Sequence, residues 1–187
     1  MKNGNFGSNV KFGFVQDSIK RPHRRNLTVV VILLALMNLL ASNAVADEKY
    51  LLVNGKAIHF NVPANTKLNE SNWGLGFQYD WELVQNRWIP FAMASGLNDS
   101  NYNPSYYVGG GALHRFQAGT MNIDVGVIGF VMTRKKYKND EPFLGVLPAF
   151  SMGTNKVAVN MTYVPKVDPK MVPLLFFQLK VNLSVFR

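Results

Sequence analysis

The residues of this chain best suited to chemistry are a histidine and an Asp-Ser pair that sit near the ends of two predicted strands. His59 precedes a loop, and Asp99-Ser100 lies where another strand runs into the polar stretch 98–101. A histidine within reach of a hydroxyl and a carboxylate can move a proton to or from a nucleophile, which acyl transfer requires. Another histidine, His114, lies within a strand.

Strand order allows these residues to meet. Antiparallel strands alternate in direction, so the carboxyl ends of the first and third strands lie at the same rim of a barrel. Two structural alternatives remain open from pattern alone: a lone histidine in a strand often packs as an aromatic ring, and an Asp-Ser pair often forms a turn. Because neighbouring strand residues point to opposite faces, Asp99 and Ser100 converge only if the backbone bends there.

Alternating apolar and polar residues predict eight strands, with boundaries uncertain by about two to four residues. In the last strand, Lys180 belongs to the polar face, and Asp80 and Glu82 have the same position in the second. Charged residues fit poorly in the core of a small soluble barrel but fit the lumen of a membrane barrel, whose apolar face contacts lipid. The fold class is therefore all-β: an eight-stranded antiparallel transmembrane β-barrel. The strands are expected near 50–61, 72–83, 88–97, 104–116, 121–134, 142–152, 156–165 and 173–186.

The N-terminal segment has the pattern of a cleavable export signal. Six basic residues and one acid precede an apolar run from Leu27 to Ala41, and small residues at Ala44 and Ala46 suit cleavage before Asp47. An uncleaved anchor is the alternative. We expect residues 1–46 to be a signal peptide and residues 47–187 to be an outer-membrane β-barrel domain. The rest of the chain keeps a modest positive excess, which suits anionic lipopolysaccharide and does not argue for nucleic acid.

Other chemistry is not indicated by the composition. The chain has no cysteine, so neither a disulfide framework nor thiolate chemistry is expected. No Cys/His cluster suggests a metal site, and we expect no cofactor. A closed small barrel needs no partner to cover strand edges, so we expect a monomer.

The most specific sequence feature after the signal is the run Met161-Thr162-Tyr163-Val164-Pro165, together with the placement of the histidine and the Asp-Ser pair. Further stretches in the same order are 58–60, 68–70, 73–77, 92–94, 98–101, 109–111, 133–134, 146–151 and 160. On these stretches the chain resembles, over about 130 residues and nearly the whole segment after the signal, the outer-membrane lipid A palmitoyltransferase family known as PagP.

The resemblance implies a barrel in the bacterial outer membrane that moves an acyl chain from a phospholipid to lipid A. The family's essential residues fall on His59, Asp99 and Ser100. His59 would then be the general base or proton shuttle for the acceptor hydroxyl, and Asp99 would orient it or stabilise its charge. Ser100 would supply a hydroxyl for acyl handling or for the oxyanion.

The resemblance also implies four substrate-binding positions. Pro148 and Pro165 match prolines that interrupt strand pairing and open a lateral gate for lipid, and Arg134 matches an arginine near the rim. Gly111 falls where the family sets the floor of its acyl-chain cavity, which makes palmitate the expected chain. The family's second pair of gate prolines is replaced by Asn54 and Asn72, and its N-terminal amphipathic helix has no counterpart after the signal.

Three other functions remain open. A hydrolase would use the same residues with water as the acceptor. A non-catalytic barrel would keep the fold alone. A narrow pore ranks last, because side chains largely fill the interior of an eight-stranded barrel.

Overall fold

Eight antiparallel strands close into a barrel in which each strand pairs with its neighbours in the sequence and β1 pairs with β8. A computed structural model describes residues 47–81, 87–169 and 171–186. The predicted signal segment 1–46 and residues 82–83 of the predicted second strand lie outside them. The strands are β1 Glu48–His59, β2 Ser71–Asp80, β3 Trp88–Asn98, β4 Pro104–Ala118, β5 Met121–Thr133, β6 Phe143–Gly153, β7 Val157–Val164 and β8 Leu174–Asn182.

The two faces of the barrel confirm the predicted membrane class. Lys180 and Asp80 are 2% and 3% exposed and face the lumen, whereas Leu144 and Val146 are 83% and 75% exposed on the outer face. A water-soluble barrel would bury the apolar face instead, so this arrangement suits a surrounding of lipid. Within the described ranges, no helix has the length and apolar character needed to cross a membrane.

Amide side chains fill the middle of the lumen. Gln178 Nε2 donates to Asn54 Oδ1 at 2.6 Å and to Tyr107 Oη at 2.9 Å. Asn160 Nδ2 donates to the side-chain oxygens of Gln78 and Gln178, both at 3.2 Å. These bonds link β1, β2, β4, β7 and β8 across the interior, because each amide supplies both donors and an acceptor.

Two ion pairs lie below this amide layer, toward the rim that carries both described ends of the chain. Lys180 Nζ donates to Asp80 Oδ2 at 2.5 Å, and the same ammonium lies 4.0 Å from the centre of the Tyr50 ring. Arg115 bonds both carboxylate oxygens of Asp124, at 2.8 and 2.9 Å. Buried charges of opposite sign are thus matched in this part of the lumen.

One ladder of the barrel is short. β6 and β7 pair only from Phe150–Met161 down to Gly153–Ala158. β6 nevertheless stays paired with β5 up to Phe143. The upper part of β6 therefore has a free edge on its β7 side, and the wall of the barrel is open there.

The strand boundaries follow the predictions to within a few residues except at the carboxyl end. The last strand was expected to reach residue 186, but β8 ends at Asn182 and residues Leu183–Phe186 form a 3-10 helix. Asn182 Oδ1 accepts a hydrogen bond from the Ser184 amide at 2.8 Å. This side-chain bond offers the backbone an alternative to the ladder and turns the chain at that point.

Replacing Lys180 with methionine should destabilise the barrel by about 3–5 kcal/mol, because Asp80 would stay buried without its counter-charge. Urea titration of the folded fraction in detergent micelles measures the change. The double variant Lys180→Met with Asp80→Leu should recover most of the loss. A single variant as stable as the parent would show that the pair does not hold β8 to β2.

Candidate functional site

His59 and Ser100 form a hydrogen-bonded pair at the upper rim, the rim opposite the described chain ends. The distance between His59 Nε2 and Ser100 Oγ is 2.8 Å. His59 is the last residue of β1 and pairs with Leu174 of β8, and Ser100 follows the end of β3. The structure thus brings together two residues that are 41 positions apart in the sequence.

A β-bulge in β1 turns His59 toward the interior. The register shifts after Asn54 against both neighbouring strands, so Gly55 and Lys56 are both exposed while Ala57 is 1% exposed. One extra residue reverses the face of every residue beyond it. Without the bulge, Ala57 and His59 would lie on the lipid-facing side.

A tight turn after β3 places both residues of the Asp-Ser pair inside. Asp99 Oδ1 accepts hydrogen bonds from the amides of Asn101 at 2.8 Å and Asn103 at 2.9 Å, and the Asp99 amide donates to the Asn103 carbonyl at 2.8 Å. Asp99 and Ser100 are 1% and 6% exposed. The bend that their convergence requires is therefore present.

Asn69 ties this turn to the loop between β1 and β2. Its side-chain Nδ2 donates to the Asp99 carbonyl at 3.1 Å, and its amide donates to the Ser100 carbonyl at 2.9 Å. Its Oδ1 accepts from the Ser71 amide at 3.0 Å, which fixes the side chain itself. Asn69 was not among the predicted site residues, since asparagine in a loop usually indicates only a turn.

Arg134 lies on the other side of the Asp99 carboxylate. Arg134 Nε is 3.6 Å from Asp99 Oδ2, close enough for an ion pair but beyond a good hydrogen bond, and this buried oxygen has no hydrogen-bond partner among the described residues. The Asp99 carboxylate thus contacts its own turn and Arg134. Within the described part of the chain, no hydrogen bond joins Asp99 to His59.

One ring nitrogen of His59 is uncommitted. Nδ1 is buried and has no hydrogen-bond partner among the residues that the structure describes. A neutral imidazole that donates through one nitrogen can accept a proton at the other. With Nε2 engaged at Ser100, Nδ1 is the ring nitrogen that no described residue binds.

A largely apolar cavity of about 390 Å³ begins at Ser100 and descends into the lumen, and His59 is not among the residues that line it. Asp99, Ser100 and Arg134 line its polar end. Its volume falls within the range of about 300–1,000 Å³ typical of small-molecule pockets. The apolar side chains that line most of the cavity suit a hydrocarbon chain. The buried apolar residues at its deep end are Ile89, Phe91, Leu113 and Ile128, of which all but Ile89 line it.

The cavity reaches the outer surface through the open part of the β6–β7 wall. Leu144 and Val146 face outward yet line the cavity, as does Pro165 just beyond β7. The Pro148 carbonyl accepts a hydrogen bond from the Thr162 hydroxyl at 2.6 Å. Proline has no amide to continue a ladder, and both prolines stand where the pairing between β6 and β7 has stopped.

Gly111 lies at the level of the deep end but is not among the residues lining the cavity. Its ladder partners, Phe91 and Ile128, do line it. A Cβ at Gly111 would meet the Val127 carbonyl oxygen at 1.9 Å. The glycine therefore allows β4 and β5 to approach closely at the cavity floor, and its link to chain length remains a prediction.

Asn54 and Asn72 bind β3 at the β1–β2 side of the barrel. Asn54 Nδ2 donates to Ser95 Oγ at 2.8 Å and to the Gly96 carbonyl at 3.0 Å, and Asn72 Nδ2 donates to the Asn98 carbonyl at 2.8 Å. These bonds add side-chain links across β1, β2 and β3.

Of the described residues, no three His, Cys, Asp or Glu side chains form a group that could hold a metal ion.

A family profile described as "Antimicrobial peptide resistance and lipid A acylation protein PagP" matches residues 47–178. The chain belongs to the PagP family. This PagP-family protein is therefore located in the bacterial outer membrane, and its family's activity is the acylation of lipid A.

Comparison with curated proteins gives no match. Among solved structures, Neisserial surface protein A is 16% identical, with a TM-score of 0.39, over 73% of this chain and 96% of its own. The attachment invasion locus protein Ail of Yersinia pestis is 10% identical, with a TM-score of 0.40, over 73% of this chain and 95% of its own. Likenesses this distant carry no argument about the activity of this PagP-family chain.

Replacing Asn69 with alanine should lower the turnover of lipid A acylation about fivefold, the equivalent of about 1 kcal/mol for the loss of its one side-chain hydrogen bond to the Asp99 turn. The turn that carries Ser100 would be less well fixed, while the cavity would be unchanged, so KM should hold. Kinetics with the purified, folded barrel measure both constants. Asn101→Ala is the matched control, because Asn101 is held through its backbone amide and carbonyl. Equal losses in the two variants would contradict a positioning role for Asn69.

Proposed function

We propose that this protein transfers a palmitoyl chain from a phospholipid to lipid A, with His59, Asp99 and Ser100 as its catalytic group. The observation that carries the proposal is the His59–Ser100 hydrogen bond at the polar end of an apolar cavity that opens sideways toward lipid. A soluble substrate would not need a lateral opening. An acyl ester needs both an apolar channel for its chain and a proton-transfer group at its carbonyl.

The proposed reaction begins at His59. His59 accepts the proton of the lipid A hydroxyl, whose oxygen forms a bond to the ester carbonyl carbon of the donor. The Ser100 hydroxyl donates to the carbonyl oxygen as negative charge develops there. Collapse breaks the ester bond, and the proton returns from His59 to the departing lysophospholipid oxygen. Protons and electron pairs balance without a metal or cofactor.

Asp99 and Arg134 act beside this pair. Asp99 folds the turn that presents Ser100, and its second carboxylate oxygen holds the Arg134 guanidinium near the reacting carbonyl. Arg134 lines the cavity and binds the phosphate of the donor, since a guanidinium suits phosphate oxygens.

The donor chain lies in the cavity and enters between β6 and β7, where Pro148 and Pro165 stand at the break in pairing. The lower end of the cavity limits the length of the acyl chain at the level of Gly111.

We further propose that residues 1–46 are removed as an export signal. The barrel then works as a monomer, with the His59 rim facing the outer leaflet.

His59→Ala and Ser100→Ala should each remove most lipid A palmitoylation, because each deletes one partner of the proton-transfer pair. Mass spectrometry of lipid A from cells with and without each variant measures the added acyl group. His114→Ala is the matched control, since His114 lies against Trp88 and Phe116 rather than at the rim. The assignment fails if folded His59 and Ser100 variants modify lipid A at the parental rate.

The same cells distinguish transfer from hydrolysis. Acyl transfer gives lysophospholipid together with acylated lipid A, whereas hydrolysis gives lysophospholipid and free fatty acid with unchanged lipid A. Dependence of the fatty acid on His59 and Ser100 would then replace the transferase assignment with a hydrolase.

Ala149→Leu should shift the transferred acyl chain toward shorter lengths, because Ala149 lines the cavity and packs against the cluster at its deep end. Chain length is read from the mass added to lipid A. Ala112→Leu is the control: Ala112 pairs with Val127 on the outward face and does not line the cavity. An unchanged distribution in folded Ala149→Leu would place the end of the acyl chain elsewhere.

A further inference from the structure

The loop between β5 and β6, residues 134–142, presents three exposed lysines at the upper rim: Lys135, Lys136 and Lys138. Asp140 and Glu141 follow them and only partly offset their charge. We call this segment the lysine loop. It is a defined turn, because the Arg134 carbonyl accepts hydrogen bonds from the amides of Tyr137 at 3.3 Å and Lys138 at 3.2 Å.

Aromatic contacts fix the lysine loop to the side opening of the cavity. The Tyr137 and Phe143 rings meet edge to face with centres 4.9 Å apart, and both residues line the cavity. Lys138 Nζ lies 5.6 Å from the centre of the Tyr137 ring. The Lys138 ammonium therefore has a set position beside the opening.

Directly below the lysine loop, the outer face of β6 is apolar. Leu144 and Val146 have the largest exposed fractions among the large hydrophobic residues of the described strands. On the far side of the opening, Lys166 is exposed and the neighbouring Val167 is 72% exposed. Lysines at the rim can contact a phosphate in a lipid headgroup, and the exposed apolar side chains below them can contact the acyl chains of the same lipid.

We propose that the lysine loop binds the phosphates of lipid A and that acyl chains of this acceptor lie on Leu144 and Val146. The inference rests on the proposed function and names the contact that brings the acceptor to the opening. Lipid A has two phosphates on one headgroup, and three exposed lysines within four sequence positions match that charge better than the single phosphodiester of a phospholipid. Arg134, which lines the cavity itself, remains for the donor.

The test is a binding measurement without turnover, so its outcome does not depend on whether His59 and Ser100 catalyse. Native mass spectrometry of the folded barrel in neutral detergent gives apparent dissociation constants for lipid A, for lipid A with its phosphates removed, and for phosphatidylglycerol. The variant is Lys135→Gln/Lys136→Gln/Lys138→Gln. The control, Lys49→Gln/Lys67→Gln/Lys156→Gln, removes the same charge from exposed lysines elsewhere on the barrel.

The lysine-loop variant should bind lipid A about tenfold more weakly, while the control binds as the parent does. Dephosphorylated lipid A should bind parent and variant alike, and high salt should reduce the parent's preference for the phosphorylated form. Equal weakening in variant and control would reduce the effect to net charge and overturn the proposal. A loss confined to phosphatidylglycerol would assign the loop to the donor and would overturn it as well.

Discussion

The structure depends on the requirement that backbone amides and carbonyls in hydrocarbon be hydrogen-bonded within the protein. A closed barrel meets it by pairing every strand on both sides, and seven of the junctions in this chain run along most of the strands they join. At the upper end of β6 and β7 the pairing stops. The break leaves the upper part of β6 without backbone hydrogen bonds to β7, and it coincides with the side opening of the apolar cavity.

The His59–Ser100 pair is set by two local irregularities rather than by the regular ladder. The bulge after Asn54 turns the end of β1 inward, and the turn at Asp99 carries Ser100 back over the lumen. Asn69 joins the two loops that hold these ends. A barrel of uninterrupted strands would separate His59 from Ser100. Without the bulge His59 would face lipid, and without the Asp99 turn Ser100 would point away from the lumen.

Periodicity in the sequence was enough to predict the eight strands and the polar lumen, since Lys180 and Asp80 on the polar faces already argued against the core of a small soluble barrel. It was not enough to predict the bulge, although Gly55 inside the strand pattern is a signal that could have indicated one. The end of β8 depends on a bond from the Asn182 side chain that competes with the ladder, which alternation does not register. The pairing of His59 with Ser100 was expected only in outline, through strand direction. The hydrogen bonds of Asn69 depend on the three-dimensional path of two loops.

The buried contact between Lys180 and Asp80 also bears on how the barrel assembles. Its partners lie 100 residues apart, on β8 and β2, so they meet only when the last strand arrives beside the first. Before that step, an unclosed sheet in the bilayer would hold an ammonium and a carboxylate without their counter-charges. Intermediates in which the barrel is open, or in which β8 is out of register, are thereby disfavoured. The electrostatic stabilisation from the Lys180–Asp80 pair is gained only when β8 closes the barrel.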